Sequence, residues 1–572
     1  MIDGPGNRAL SITLLIFLIC AVTRINFGIW DAEIPLGDEA GYIEQSYDLF
    51  KHGRYSSNLY LNAYAFCFRH LTTDPIAAHY LMRCLAALLS VTGLFLLLSA
   101  LELVTPFGAF VMALYWNVNA LVTPLVQHGT VSLFAFGISC YAGYLWLTGR
   151  CRWRRVLAVG ILFLAVGIRI EYAVLLFLLA LHSVRNVLIS HGNAGGDRRW
   201  LIVMVAGGGL VIPVVAGILF FMPQLHTAVW QYLVSLDNYL FLGLQQCYAS
   251  FRAAHQPGLV LDPMTEYDHF MRQSFPGATG FFHAAAINPV ELARYVLLNS
   301  LNNFMNFYHL LSTHSIILPT KLSVDGWQGG SGTRPLHWVL WGEQIALCLS
   351  VVLGGVWLAA RRYAETGFAR LMKEPGPVFV FALAAVSLPA VALHIPIARY
   401  WITLIPLLLW GAAAFISRYS SMVSGTSKVW LALLLCLAVY NPVFVSSCGN
   451  NQHRDRDFVL QLRAKLSDNS KNHLKALGAW PYPLLAFAVP GRGVSTSSFD
   501  VRQGLSFESL IRAGGHDIIV IDDWLRQGQQ FSMEREFFSR FLAYPEKYGY
   551  EVLLDSEKRD GPVQILKRRD HT

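Results

Sequence analysis

Apolar segments long enough to cross a membrane recur along the chain, and they constrain its fold more than any other feature. A transmembrane helix needs about 20 predominantly apolar residues. Of the 572 residues, 54% are hydrophobic and only 14% are charged, which is more apolar surface than a soluble core of this size can bury. We therefore predict a polytopic α-helical membrane protein. Separate spans are predicted near 9–30, 77–101, 105–123, 126–148, 200–222, 337–360, 377–396, 400–417 and 428–446.

One further apolar stretch, 156–184, is longer than a single span needs and contains Arg169 and Glu171. Two charges in the middle of a membrane are costly, so we predict two shorter helices that meet at the membrane face near Arg169. The predicted total is then about eleven transmembrane helices. The run 9–30 has a single basic residue before it, Arg8, and no small-residue cleavage site after it, so we interpret it as an uncleaved helix.

The basic residues of the short loops predict the orientation in the membrane. Four such loops share one side if the N-terminus is cytoplasmic, as the positive-inside rule requires. The net charge of +8 is then explained by topology, and nucleic acid is not an expected partner. The nine cysteines include no CxxC pair and predict neither a disulfide framework nor a zinc site. The four basic loops are 149–155, 185–199, 361–373 and 418–428.

Three regions face the exterior in this topology: loop 31–76, segment 223–336 and the tail from about 447. In the loop we predict an amphipathic helix from Asp38 to about Lys51. Its apolar side chains would let the helix lie along the membrane surface. Those side chains are Tyr42, Ile43, Tyr47, Leu49 and Phe50.

Segment 223–336 is rich in aromatic and polar residues and predicts surface-lying helices around 227–253 and 290–312. The tail, 447–572, predicts a small soluble α/β domain that follows a transmembrane domain over 1–446. Strands are predicted at 516–524, 550–554 and 562–568, and a helix that ends at glycine is predicted at 506–515.

Polar side chains that could carry chemistry lie at the exterior ends of the predicted spans. An arginine cluster at this depth suits a phosphate carried on a lipid. A carboxylate beside such a cluster suits a general base that acts on a hydroxyl. We therefore predict a functional site at this membrane face. Its candidate residues are Asp38, Glu39, Arg83, His128, Arg169, Glu171, Arg399 and Tyr400.

Most of these residues also have a purely structural interpretation. Asp38 could serve only as a helix cap, and Glu39 only as a partner of the helix dipole. Arg83 could extend its side chain to the membrane interface, and Arg169 could pair with a nearby carboxylate. His128 could be an interfacial histidine with its hydrogen bonds satisfied.

The stretch GDEAGYIEQSYDLFKHGRYS, residues 37–56, resembles the first exterior loop of polyprenyl-phosphate-sugar-dependent glycosyltransferases of the GT-C fold. That family includes bacterial aminoarabinose transferases and protein O-mannosyltransferases. Residues 78–101, 164–181 and 395–410 resemble three later parts of the family in the same order: a span with an early arginine, an arginine junction between spans, and an Arg-Tyr opening of a late span. The matching residues are Asp38, Glu39, Tyr42, Gly53, Arg83, Arg169, Arg399 and Tyr400.

The resemblance implies a GT-C fold and an inverting transfer of sugar from a polyprenyl-phosphate donor to a hydroxyl group of a lipid, glycan or protein. Asp38 would deprotonate that hydroxyl. Arg83, Arg169 and Arg399 would hold the lipid phosphate, which gains negative charge as the bond to the sugar breaks.

The resemblance also bears on the other candidates. Tyr42 and Tyr400 would belong to the substrate-binding side of the site. A divalent metal ion, Mg²⁺ or Mn²⁺, could bridge phosphate and carboxylate, with Glu39 or His128 as a ligand. His128 stands where members of the family often carry a second acid.

Two rival functions remain open from the sequence. A secondary transporter would have two related halves with broken helices and charges near the membrane midplane, whereas the charges here lie at one face. An O-antigen ligase or polymerase would also use lipid-linked sugars, but it relies on arginines and a histidine in a large exterior loop. The absence of an Asn-x-Ser/Thr sequon favours a bacterial inner membrane, with the C-terminal domain in the periplasm.

Overall fold

The computed structural model of the protein describes several separate stretches of the chain, which are given below. Its described residues form two compact units. The first comprises Met1–Ile170, Leu311–Val356 and Leu409–Thr572, and the second comprises Glu171–Leu310 and Trp357–Leu408. The described residues are 5–27, 38–56, 58–117, 130–149, 152–192, 237–252 in part, 267–305, 353–361 in part, 374–393, 402–420, 454–467, 473–478, 482–489, 493–498, 506–526 in part, 534–558 and 561–569.

Seven helices precede Arg169 in the described part of the first unit, and several coincide with predicted spans. Their bounds are α1 Pro5–Phe27, α2 Asp38–Lys51, α3 Leu59–His70, α4 Pro75–Ala100, α5 Pro106–Asn117, α6 Thr130–Thr148 and α7 Arg152–Ile168. Asp74 begins α4, since its side chain accepts a hydrogen bond from the Ile76 backbone N–H and Pro75 occupies the first turn.

Helices α4 and α6 pack with their backbones in close approach. A Cβ atom added to Gly137 on α6 would lie 2.5 Å from the backbone carbonyl carbon of Leu89 and 2.6 Å from the backbone nitrogen of Ser90. The hydroxyl groups of Thr92 and Tyr141 are 2.6 Å apart across the same interface. Small residues that let two helices approach in this way are typical of packing inside membranes.

The exposed surface of these helices is apolar. On α1, Leu18 and Val22 are buried, while Ile16 and Phe17 are more than half exposed. On α7, Phe163 is 62% exposed although the opposite face of the helix is packed inside. A helix that is apolar on both faces and exposed on one is suited to contact with lipid. The described part of the chain is accordingly mostly helical, and its exposed apolar helix surfaces are those expected of an integral membrane protein.

Two helices in the described part of the chain, α4 and α6, are long and apolar enough to cross a membrane. The predicted spans 200–222 and 428–446 lie outside the described residues, and so does most of 337–360. The total of eleven transmembrane helices therefore stays a prediction.

The predicted break near Arg169 is confirmed. The α7 helix ends at Ile168, a short 3-10 helix covers Ile170–Tyr172, and α8 runs from Ala173 to Gly192. The chain thus leaves α-helical geometry at the one point of the 156–184 stretch where its charged residues occur.

The second unit contains an aromatic cluster at its core. Tyr248 and Tyr295 are fully buried there with ring centroids 5.4 Å apart, and the Tyr295 hydroxyl donates to the backbone carbonyl of Leu393 at 2.7 Å. The helix predicted around 290–312 is present as Pro289–Met305 in the described residues. Between α8 and the C-terminal region, the helices whose bounds are described are α9 Tyr267–Ser274, α10 Phe281–Ile287, α11 Pro289–Met305, α12 Pro375–Ala385, α13 Leu388–Leu393 and α14 Ile405–Ser420, most of which belongs to the first unit.

The C-terminal region, which belongs to the first unit, folds around a five-stranded sheet. The strand order is β2-β1-β3-β5-β4, with β1 parallel to β2 and β3, and β5 antiparallel to β3 and β4. The three predicted strands and the predicted helix are present. In chain order the elements are α15 Arg454–Ser467, β1 His473–Gly478, α16 Tyr482–Ala488, β2 Gly493–Ser498, α17 Phe507–Ala513, β3 Ile518–Asp522, α18 Arg535–Ala543, β4 Tyr550–Lys558 and β5 Gly561–Arg568.

The close packing of α4 on α6 predicts that Gly137→Ala destabilises the protein. The added methyl group would meet backbone atoms that cannot move aside, and overpacking of this kind costs about 1–3 kcal/mol. Gly160→Ala on α7 is the matched control, because a Cβ there has no neighbour within 4 Å. Thermal unfolding in detergent micelles should show a lower midpoint for Gly137→Ala alone; equal midpoints for both variants would refute the close approach.

Candidate functional site

Helix α2 begins at Asp38 and ends at Lys51, as the sequence predicts. Its apolar face packs against α3, with the ring of Tyr42 5.2 Å from that of Tyr60 and the ring of Tyr47 5.1 Å from that of Phe68. These aromatic side chains thus fix α2 on a neighbouring helix. The prediction that the helix lies along the membrane surface stays a prediction.

Glu39 is the buried carboxylate of the acidic pair, with 1% of its surface exposed. Its Oε2 accepts hydrogen bonds from the hydroxyl groups of Tyr60 at 3.2 Å and Tyr64 at 3.4 Å. A buried carboxylate is strongly unfavourable unless it receives hydrogen bonds or faces a positive charge. The two tyrosines, one helical turn apart on α3, supply the hydrogen bonds.

The hydrogen-bond network continues from Tyr64 to His79 on α4. The Tyr64 hydroxyl oxygen lies 3.2 Å from Nδ1 of His79, which is 1% exposed. Because a tyrosine has one proton, a Tyr64 that donates to Glu39 must accept from His79, which then carries its proton on Nδ1. The network thus selects one tautomer of the imidazole.

Burial raises the pKa of Tyr60 and of Tyr64 well above its ordinary value, and the negative charge of Glu39 raises both further. The two phenols therefore stay protonated at physiological pH. They therefore act as permanent hydrogen-bond donors toward the Glu39 carboxylate.

Arg83 and Arg169 are held at the same end of α6. Arg83 is 2% exposed and its Nη1 donates to the Thr130 hydroxyl at 3.5 Å, while Nη1 of Arg169 donates to the Ser132 hydroxyl. The charge of Glu39 acts on Arg83 as well. Three residues from distant parts of the sequence, Glu39, Arg83 and Arg169, are thus brought to one region of the first unit.

Other predicted site residues are described less fully. The backbone of Asp38 starts α2, but its side chain lies outside the described part of the chain. His128, Arg399 and Tyr400 also lie outside it. Tyr42 is half-buried, with its ring edge-on to that of Tyr60, whose hydroxyl donates to Glu39.

Sequence reasoning missed three members of the network: Tyr60, Tyr64 and His79. Helical spacing could have found them, because residues four apart share one face of a helix. Tyr60 and Tyr64 have this spacing on α3, and His79 and Arg83 have it on α4. Two adjacent helices that each carry such a pair, both within reach of an acidic pair, indicate a shared polar cluster.

The chemistry around Glu39 does not fit a metal ligand. Its Oε2 already accepts hydrogen bonds from two phenols, and the positive charge of Arg83, which interacts with the carboxylate, would oppose a bound cation. A hard divalent cation prefers several oxygen ligands and an accessible coordination shell. Within the described ranges, no three His, Cys, Asp or Glu side chains are grouped as a metal site.

No protein-family model matches this chain, and no curated protein matches it. Two solved structures of ArnT from Cupriavidus metallidurans are similar to it over nearly its whole length. The structure bound to undecaprenyl phosphate has 12% identity and a TM-score of 0.39, covering 97% of each chain. The apo structure has 15% identity and a TM-score of 0.36, covering 98% of this chain and 97% of that one. A similarity with TM-scores this low does not assign a role to any residue of this chain.

The geometry around Glu39 predicts that the double substitution of Tyr60 and Tyr64 by phenylalanine destabilises the protein. Both rings are kept while a buried carboxylate loses two donors, which costs about 1–3 kcal/mol. Tyr47→Phe is the control, since the Tyr47 ring packs on Phe50 and Phe68. Denaturant unfolding in micelles measures the difference, and equal stability of the double variant and the control would contradict the network.

Proposed function

We propose that the protein is a membrane glycosyltransferase of the GT-C type, which moves a sugar from a polyprenyl-phosphate donor to a hydroxyl acceptor with inversion. The observation that carries the proposal is that two arginines are held at one end of α6 and that one of them, Arg83, interacts electrostatically with Glu39 on α2. Arg83 and Arg169 are far apart in sequence, and the hydroxyl groups of Thr130 and Ser132 orient both. Guanidinium groups placed in this way suit a phosphate oxyanion.

In this reaction Asp38 is the general base. It takes the proton of the acceptor hydroxyl, whose oxygen attacks the anomeric carbon as the bond from that carbon to the phosphate oxygen breaks. The phosphate leaves with an additional negative charge and needs little acid assistance. Arg83, Arg169 and Arg399 stabilise that charge.

Glu39 has a different role from its neighbour. Its carboxylate is buried, and its Oε2 already accepts hydrogen bonds from the hydroxyl groups of Tyr60 and Tyr64. We assign it to positioning: it anchors the first turn of α2, and the backbone of Asp38 is fixed with that turn. No step of the proposed reaction passes through a metal ion.

The donor belongs to the polyprenyl-phosphate class, of which the undecaprenyl phosphate bound to the ArnT neighbour is one member. The acceptor is a hydroxyl group on a lipid, glycan or protein. The proposed location is a bacterial inner membrane, with a cytoplasmic N-terminus and the C-terminal domain in the periplasm. That orientation rests on the distribution of basic loop residues.

The base assignment predicts that Asp38→Asn lowers sugar transfer by at least about 100-fold, the lower end of general-base contributions. Asp48→Asn is the control, because Asp48 is an exposed carboxylate on the same helix that pairs with His52 at 3.0 Å. Transfer of labelled sugar from a polyprenyl-phosphate donor in membranes measures both. Full activity in Asp38→Asn, with the protein folded, would refute the assignment.

The phosphate assignment predicts that Arg83→Gln and Arg169→Gln each raise the donor concentration needed for half-maximal transfer by about 10- to 100-fold, the value of one charge-assisted hydrogen bond. Arg154→Gln is the control, since Arg154 is exposed near the opposite end of α7 from Arg169. Titration of donor at saturating acceptor gives the three values. Unchanged donor dependence in both variants would exclude a phosphate contact.

A further inference from the structure

The C-terminal region makes a direct contact with the first exterior loop. Arg463 on α15 forms an ion pair with Asp74, with Nη1 2.9 Å from Oδ1, and its Nη2 donates to the backbone carbonyl of Phe487 on α16 at 2.9 Å. One planar guanidinium therefore joins two helices of the C-terminal domain to the residue that begins α4. Lysine, a single-point donor, cannot reproduce this fork.

Asp74 is a structural anchor of the candidate site. Its Oδ1 accepts from the backbone N–H of Ile76 at 3.2 Å and caps α4. His79 and Arg83 project from the first turns of that helix. The ion pair between Arg463 and Asp74 therefore holds the N-terminal end of α4, from which the side chains of His79 and Arg83 project.

Phe487 supplies a second contact to the same network. It is fully buried, and its ring meets the His79 imidazole edge-on with centroids 6.1 Å apart. Its helix, α16, also packs along α2. From Phe487 the contacts continue through His79 and Tyr64 to Glu39, in the first turn of α2.

We propose that α15 and α16 of the C-terminal domain form one wall of the candidate site, and that Arg463 is a positioning residue for the acidic pair on α2. The wall closes the Glu39 network against water, which strengthens its hydrogen bonds and fixes the start of α2. The catalytic consequence rests on the proposed glycosyltransferase function, whereas the mechanical coupling does not. A C-terminal domain used only to recruit acceptors would not need this contact.

The test compares Arg463→Gln, Asp74→Asn and the double variant in the full-length protein. Asparagine at position 74 keeps the cap on α4 and removes the charge. Arg512→Gln is the control, because Arg512 forms an exposed pair with Glu508 at 2.6 Å inside the same domain. Two readouts are used: amide hydrogen exchange in α2 and α3, and the kcat and donor KM of transfer.

Arg463→Gln should speed amide exchange in α2 and α3 and lower kcat by about 5- to 10-fold, the low end of typical couplings because both ion-pair partners are partly exposed. Donor KM should stay unchanged, since the phosphate-binding arginines are untouched. Asp74→Asn should reproduce the effect, and the double variant should add nothing to it. Arg512→Gln should change neither readout.

The outcomes separate the two proposals. Unchanged amide exchange in Arg463→Gln would overturn the coupling whether or not the protein transfers sugar. Faster exchange with an unchanged kcat would leave a structural contact and refute the positioning role. If the unaltered protein transfers no sugar from any polyprenyl-phosphate donor, the proposed function fails, while the exchange measurement still decides the coupling.

Discussion

The arrangement of the candidate site depends on one constraint, the burial of a carboxylate. An ionised group taken out of water must recover its lost hydration through hydrogen bonds and opposite charge. Glu39 does so with two phenols from α3 and the guanidinium of Arg83 on α4. Satisfying this one side chain therefore fixes the mutual placement of three helices, and Asp38 precedes it directly in the sequence.

This arrangement changes the interpretation of the acidic pair. From the sequence, Glu39 stood between a metal ligand and a partner of the helix dipole. Its surroundings support a third role, in which a buried acid anchors the helix that presents its neighbour. Of the two adjacent carboxylates, Glu39 is then held in a network of permanent donors, while Asp38 keeps the role of base proposed above. Such a division of roles is typical of paired acids in active sites.

Part of the fold could be predicted from the sequence because local signals were strong there. The bounds of α2 follow from a polar start, an amphipathic repeat and the Lys51-His52-Gly53 stop, in which Gly53 has a positive φ of 65°. The break at Arg169 follows from the energy of charges in lipid. Strand β3, IIVID, is buried throughout, and its first four residues form a continuous apolar run, so the strand could be predicted.

Other parts carried no local signal. Strand β2 has the sequence GVSTSS, which lacks an apolar alternation, and it is a strand only because β1 pairs with it in parallel. Thr130 and Ser132 resemble ordinary small residues at the start of an apolar helix, and their roles depend on arginines that arrive from α4 and from the end of α7. Contacts with distant parts of the chain, rather than local propensity, determine the structure of β2 and the roles of Thr130 and Ser132.

The contact of Arg463 with Asp74 is another effect between distant parts of the chain. It affects how the chain is divided into domains. Composition separates an apolar part from a polar tail at about residue 447, since membrane and water select different residues. Contacts group the residues differently, because α15, α16 and the sheet lie in one compact unit with α2, α3 and α4. A buried polar network needs neighbouring groups that shield it from water and form hydrogen bonds with it. Lipid chains cannot form those hydrogen bonds. The C-terminal domain supplies an arginine to the capping aspartate and an aromatic ring to the buried histidine. In the proposed arrangement, the polar tail therefore completes the environment in which Glu39 is held.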